Sequence, residues 1–341
     1  MAEPRTILLA HGGGGRLMHE LLADLLPLLS PTGAAPAVLN DAAVLEVEGV
    51  RLAFTTDSFV VTPAFFPGGD IGRLAVCGTV NDLAMVGARP VALSLGLVIE
   101  EGLTREALER VLRSVAAAGE EAGVGVVTGD TNVVERGAAD GLFMNTAGIG
   151  VVPAGVALSG EAVRPGDAVL INGTIGDHGL AVLAAREQLG LRGGLLSDCA
   201  PLNSLVEALL EAAGAHLHCL RDPTRGGVAA SLHEVAAQSR VAVQLEEAAL
   251  PVAPPVQGAC ATLGLDPLFV ANEGKVLAFV APEGAAAALE ALRAHPLGRQ
   301  AAEIGRVLTR ADDLTTVTIR TALGVVRLVD MPRGELLPRI C

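Results

Sequence analysis

A chain of 341 residues with a net charge of −14 lacks the clustered Lys and Arg that a nucleic-acid surface needs to displace phosphate counterions. Its apolar fraction of 51% rests on Ala, Val and Leu, with no Trp or Tyr and only 7 Phe, so aliphatic side chains must pack at close backbone approach in about two domains. No apolar stretch nears the roughly 20 residues of a membrane span, no basic-then-apolar leader opens the chain, and five cysteines without a C-x-x-C pair read as reduced thiols, which together point to the cytoplasm.

In chain order, HGGGGR at 11–16 comes first. It could form a nest of backbone N–H groups around an anion or serve as a flexible hinge, and it has neither the Lys-Ser/Thr ending of a P-loop nor G-x-G-x-x-G spacing. Apolar periodicity then predicts strands over 52–57, 91–99, 124–129 and 141–150, with helices over 70–87 and 104–123. The Gly- and Pro-rich stretch 151–167 lacks long periodicity and sets a boundary near residue 155. The second half repeats the style, with strands in DAVLING (167–173) and KVLAFVA (275–281) and helices over 177–190, 202–214 and 225–239. HLHC at 216–219 puts His216 and His218 on one face of a strand, but without a second ligand pair it reads as ordinary strand. After Asp312 and Asp313 a short β-like TTVTIR leads into a Pro- and Gly-punctuated tail that ends on Cys341. The expected architecture is α/β in two domains, 1–155 and 156–311, followed by a flexible tail, 312–341.

Chemistry is expected where acidic residues stand among small neighbours at the end of an apolar run or inside a helix. Asp41, Asp57, Asp82, Asp130 and Asp222 all do. Singly, each is read as a turn or cap residue. Converging, they would suit Mg²⁺, which shares octahedral oxygen ligands with phosphate. Cys341 is the other anomaly, because a free cysteine is ordinarily buried and inert, and a chain end offers little to bury it.

LNDAAVL (39–45), the run from Phe54 to Pro90, TGDTNVV (128–134), RDPTRGG (221–227) and the closing PRIC (338–341) resemble the HypE family of hydrogenase maturation factors. That family sits in the superfamily of aminoimidazole ribonucleotide synthetase and selenophosphate synthetase. The resemblance spans nearly the whole chain. It implies a homodimer in which N-terminal strands of two subunits form a barrel, a C-terminal domain of mixed sheet and helices, and a Mg-ATP site between the lobes. It also implies a partner carbamoyltransferase, HypF, that loads the terminal cysteine. The carbamoyl group is then dehydrated to a thiocyanate, and the cyanide passes through HypC and HypD to the iron of a [NiFe] hydrogenase.

Carried over residue by residue, the resemblance makes Asp41, Asp82 and Asp222 metal ligands. It makes Asn40, Asp57, Thr128, Gly129 and Asp130 nucleotide contacts, the last three reaching a neighbouring subunit's site. A terminal thiol on a mobile arm can be loaded outside and then folded inward. Glu273, at a turn in VANEGKV, is the candidate base for the amide protons, or else a turn carboxylate in water. Arg339 could assist the thiolate. Asn132 stands where a lysine is expected, with Arg136, Arg225 and Lys275 as possible substitutes for the missing charge. Two other functions stay open: a superfamily kinase or synthetase acting on a free metabolite, which has no use for Cys341, and a non-catalytic carrier displaying the tail.

Overall fold

The computed structural model of the protein describes residues 6–29, 39–189, 194–311, 316–332, 334, 337 and 339–341. An amphipathic helix α1 (Arg16–Leu29) precedes a first lobe. There a hairpin of β1 (Ala43–Val47) and β2 (Val50–Phe59) is followed by the two-residue strands β3 (Phe65–Phe66) and β4 (Gly69–Asp70) and by helix α2 (Ile71–Met85). Strand β5 (Arg89–Glu100), helix α3 (Arg105–Ala122), β6 (Val126–Val134) and β7 (Leu142–Val151) complete it. The sheet order is β1-β2-β7-β5-β6, antiparallel except for the β5/β6 pair, whose parallel crossover is made by α3. Asp70 caps α2 by accepting from the N–H groups of Gly72 (2.8 Å) and Arg73 (3.0 Å). Thr104 opens α3 in the same way, and Gly123 closes it in the left-handed conformation.

Both helices cover one face of this sheet. At Gly72 a Cβ would stand 2.5 Å from the Val111 carbonyl, so glycine is what lets α2 and α3 touch. The opposite face is bare and apolar: Phe54, Val91, Val98 and Ile149 are exposed, as are the edge strands β1 and β6.

The second lobe contains β8 (Ala168–Ile171), α4 (Asp177–Arg186), α5 (Asn203–Ala213), β9 (Leu217–Arg221), α6 (Gly227–Ser239), β10 (Val241–Glu246) and α7 (Pro254–Leu263). It continues with β11 (Leu277–Val280), α8 (Pro282–Ala294), β12 (Ala302–Thr309), β13 (Val317–Arg320) and β14 (Val326–Leu328). Its seven strands run β14-β13-β10-β12-β8-β11-β9. The central strands β8 and β11 are buried on both faces, with α6 on one side and α5 and α8 on the other. Among the described residues no helix is long and apolar enough to cross a membrane.

The sheet takes up part of the segment that the sequence assigns to the tail. Val317 and Ile319 are buried against β10, in register with Val243 and Leu245, so the portion outside the sheet begins after Val329. Asp312 and Asp313 lie outside the described residues. The glycine run is packed, not loose. A Cβ on Gly14 would stand 2.5 Å from the Arg225 carbonyl, and the Arg16 N–H donates to Pro332 (2.8 Å).

Helix α2 joins the lobes. Almost every residue of it is buried, and Ala84 and Met85 enter the core formed by α5 and α8. Asn81 supplies the polar seam: its amide donates to the carbonyls of Ala200 (3.2 Å) and Glu273 (3.2 Å) and accepts from the Leu202 N–H (2.8 Å). Replacing it leaves three buried backbone groups unpaired. Asn81→Ala should therefore cost about 2–4 kcal/mol of stability in urea unfolding.

Candidate active site

A cavity of about 660 Å³ opens where β2 and α2 of the first lobe meet β9 and α6 of the second. Strand alternation aims Thr55 and Asp57 at α2, on the same face as Ala53 and Phe59. Asp82 follows Asn81 on α2, and Asn40 and Asp41 come from the approach to β1. The loop between β9 and α6 brings Asp222, Thr224 and Arg225. That loop turns through Thr224 N–H to the Asp222 carbonyl (3.0 Å) and Gly227 N–H to the Thr224 carbonyl (2.9 Å). Gly226 and Gly227 both have positive φ, and a Cβ on Gly227 would stand 2.6 Å from the Leu268 carbonyl, which explains the paired glycines of RDPTRGG. Glu273, just before β11, and Cys341 complete the wall.

Charge in this cavity is unbalanced. Asp41, Asp57, Asp82, Asp222, Glu234 and Glu273 face it, against the guanidinium groups of Arg221 and Arg225. Arg221 reaches Asp41 (2.9 Å) and also grips Glu234, which is held from its other side by His19 (3.1 Å). Burial alone would raise Glu234, but His19 and Arg221 outweigh it and keep that carboxyl below its ordinary range. At the others burial and like charge prevail over such help. Burial, then Asp222, Asp41 and Asp57, push Asp82 well up, against a hydrogen bond from the Thr55 hydroxyl (2.8 Å). Burial and Asp41 push Asp222 well up. Burial also raises Asp41 and Asp57, with Arg221 and Arg225 opposing it respectively. Glu273 is raised well above its ordinary value by burial, then by Asp222, Asp57 and Asp198, and its buried Oε1 has no hydrogen-bond partner among the described residues.

The structure thus brings together Asn40, Asp41, Asp57, Asp82, Asp222, Glu273 and Cys341. It does not bring Thr128, Gly129 and Asp130 there within one chain. They lie exposed on the edge strand β6, where Asn132 donates to Asp130 (2.9 Å). Of the three basic substitutes, only Arg225 lines the cavity; Lys275 pairs with Asp198 (2.8 Å), and Arg136 lies against Gly102. The Arg339 guanidinium meets Asp140 (2.7 Å) and the Val60 carbonyl (3.0 Å), so it anchors the tail. His218 of HLHC pairs with Asp167 (2.8 Å) in a structural contact. Sequence reasoning missed Arg221, Glu234 and His19. Arg221 stood inside a quoted motif, but no spacing signal ties it to Glu234 or His19.

Residues 39–152 match the family AIR synthase related protein, N-terminal domain, and residues 164–316 match AIR synthase related protein, C-terminal domain. Carbamoyl dehydratase HypE of Rhizobium leguminosarum bv. viciae is 53% identical over 333 residues, 98% of this chain and 94% of that protein. A crystal structure of a HypE–HypF complex superposes with a TM-score of 0.85 at 47% identity, covering 93% of this chain and 100% of that one. A HypE structure in complex with ATP gives 0.82 at 49% identity, covering 98% and 100%.

An acid whose folded pKa is raised favours the folded state while it holds its proton. That contribution is fully present below the ordinary carboxyl value and is lost as pH climbs through the raised one. Asp82→Asn keeps an acceptor for Thr55 and removes the charge. Without ligand it should be more stable than the parent at neutral pH by on the order of 1 kcal/mol. Thermal melts across pH should show the gap closing as pH falls toward the ordinary carboxyl range.

Proposed function

Because this chain belongs to the AIR synthase related family, in its HypE carbamoyl dehydratase branch, we propose that the cavity dehydrates a carbamoyl group carried by its own Cys341 to a thiocyanate. The protein is an ATP-dependent carbamoyl dehydratase of hydrogenase maturation. The observation that carries the cysteine reading is that Cys341 lines the same cavity as Asp41, Asp57, Asp82, Asp222 and Glu273. A kinase or synthetase for a free metabolite would need no such thiol.

A primary amide keeps its oxygen because that oxygen is a poor leaving group. In the proposed reaction the carbamoyl oxygen takes the γ-phosphoryl group of ATP as one N–H proton is lost. The C–O bond then breaks, phosphate leaves with the electron pair, and the second N–H proton departs as C≡N forms. The products are the thiocyanate, ADP and phosphate. Glu273 receives a proton, its raised pKa making its carboxylate a stronger base than an exposed one. Arg225, on the same wall, can face developing phosphate charge in the role for which a lysine was expected at Asn132.

The donor set fits Mg²⁺. It is all oxygen, anionic and short of cations, and Asp41, Asp82 and Asp222 would hold the ion. Among the described residues no three His, Cys, Asp or Glu side chains already stand at ion-holding geometry. When bound, Mg²⁺ would neutralise the carboxylates and polarise the phosphates.

We assign ATP binding and dimerisation to 1–155, a second α/β domain to the residues from 156 through strand β14, and the cysteine arm to the tail after Val329. Pairing of the bare apolar sheet face with a second copy, in a barrel of both subunits' strands, would bring the partner copy's Thr128, Gly129 and Asp130 segment to this cavity. HypF would load Cys341, a HypC–HypD complex would accept the cyanide, and all of this would proceed in the cytoplasm.

Two measurements test the reading. Cys341→Ala should abolish ATP hydrolysis that depends on carbamoyl donor and HypF. In the parent, the C-terminal peptide should gain a carbamoyl mass and then lose one water. Glu273→Gln should lower kcat by about 10²–10⁴-fold. Since a raised acid becomes a base only as pH climbs through its raised value, the parent kcat should rise with pH along a limb that Glu273→Gln lacks.

A further inference from the structure

Residues 339–341 lie antiparallel to Val60–Thr62. The Val60 N–H donates to the Cys341 α-carboxylate (3.1 Å) and the Thr62 N–H to the Arg339 carbonyl (3.4 Å). The carbonyls that a full ladder would pair with the tail go to side chains: Val60 to Arg339 Nε (3.0 Å) and Thr62 to Arg186 Nε (2.8 Å). The tail is therefore zipped along one side.

The remaining grip comes from α4. Arg186, its last residue, donates to the Arg339 carbonyl as well as to Thr62. His178, near its start, holds the Ile340 carbonyl with Nε2 (3.0 Å). The tautomer follows from its neighbours. The Ile340 carbonyl can only accept, so the ring proton sits on Nε2, and Nδ1 accepts from the hydroxyl of Ser197 (2.8 Å), whose oxygen accepts the Cys199 N–H (3.1 Å). Burial lowers the pKa of this imidazole and keeps it neutral, and Phe66 meets the ring edge-on at 5.4 Å. The main-chain oxygens of Arg339, Ile340 and Cys341 are thus all held, while Cys341 itself packs against the first lobe's core and lines the cavity.

We infer that His178 and Arg186 are positioning residues for the reaction, holding the last three residues so that Cys341 Sγ meets the acidic cavity. This inference rests on Cys341 as the carrier of the reacting group. It assigns α4 a role that none of the acidic motifs suggests, because His178 and Arg186 touch the tail and none of the cavity carboxylates.

The test uses the full-length protein with ATP. Cys77, Cys199, Cys219 and Cys260 are all buried, so iodoacetamide should mark Cys341 selectively and report whether the tail is docked. In His178→Ala the alkylation rate should rise about tenfold, the effect of a hydrogen bond made only in the docked state. Single-turnover loss of water from the carbamoylated protein should slow by a similar factor, with KM for ATP unchanged, a split that general loss of structure would not give. His178→Gln, whose amide can donate to Ile340, should recover most of both. Should His178→Ala fail to fold, Arg186→Met carries the same test. Parental alkylation rates in the variants, or faster alkylation with undiminished dehydration, would overturn the positioning role. If the parent itself never loses water at Cys341, the carrier reading falls instead, and the alkylation comparison still reports the grip.

Discussion

Six carboxyl groups facing one cavity with two guanidinium groups is an arrangement that no isolated fold would favour, and the rest of the structure is organised around sustaining it. Part of the strain is relieved internally, since Arg221 bridges Asp41 and Glu234. The remainder falls on the acids themselves: burial and their neighbours raise Asp82, Asp222 and Glu273, which makes their ionised forms costly until a cation binds. Ligand binding and ionisation of the cavity are therefore one equilibrium. Stability lost to the acids without ligand returns as affinity for Mg²⁺.

Such a cluster converges only if the elements carrying it cannot move apart, and α2 provides that rigidity. It is buried by its own sheet, by α3 and by the second lobe at once. Asn81 ties it to the backbone of Glu273, so the candidate base and the metal-ligand candidate Asp82 are fixed by adjacent residues of one helix. The close approach at Gly72 and the doubled glycines after Arg225 serve the same end, since a side chain there would separate the walls.

This distribution of constraints explains what could be read in the sequence. Strands such as β5 and β7 and helices such as α2 and α3 carry long periodic patterns, and the acidic motifs sit beside glycines that only close backbone approach requires. Strand β1 was illegible because it is exposed along its whole length and so shows no alternation between a buried and an open face. Thr128, Gly129 and Asp130 carried a motif but not a position: the exposed edge of β6 holds them away from the cavity of their own chain. Arg221 was visible as a letter and not as a bridge, because its partners Asp41 and Glu234 are far apart in the chain. Charge neutralisation across lobes leaves no local pattern.

The tail completes the arrangement by being held weakly. Its grip consists of hydrogen bonds to the main-chain oxygens of Arg339, Ile340 and Cys341, the contacts of the Arg339 guanidinium with the Val60 carbonyl and Asp140, and the burial of Ile340, which is 2% exposed. Each bond contributes about 1 kcal/mol and the isoleucine about 2 kcal/mol. Ordering each of the last three residues costs about 2 kcal/mol. The two sides nearly cancel. On the proposed function, a cysteine loaded by a second enzyme and then returned to the acidic cavity needs this balance: a full ladder with Val60–Thr62 would hold it inside, while His178 and Arg186 bring it back. Because these contacts run through main-chain oxygens, loaded, dehydrated and empty arms offer the dock the same hydrogen-bonding groups.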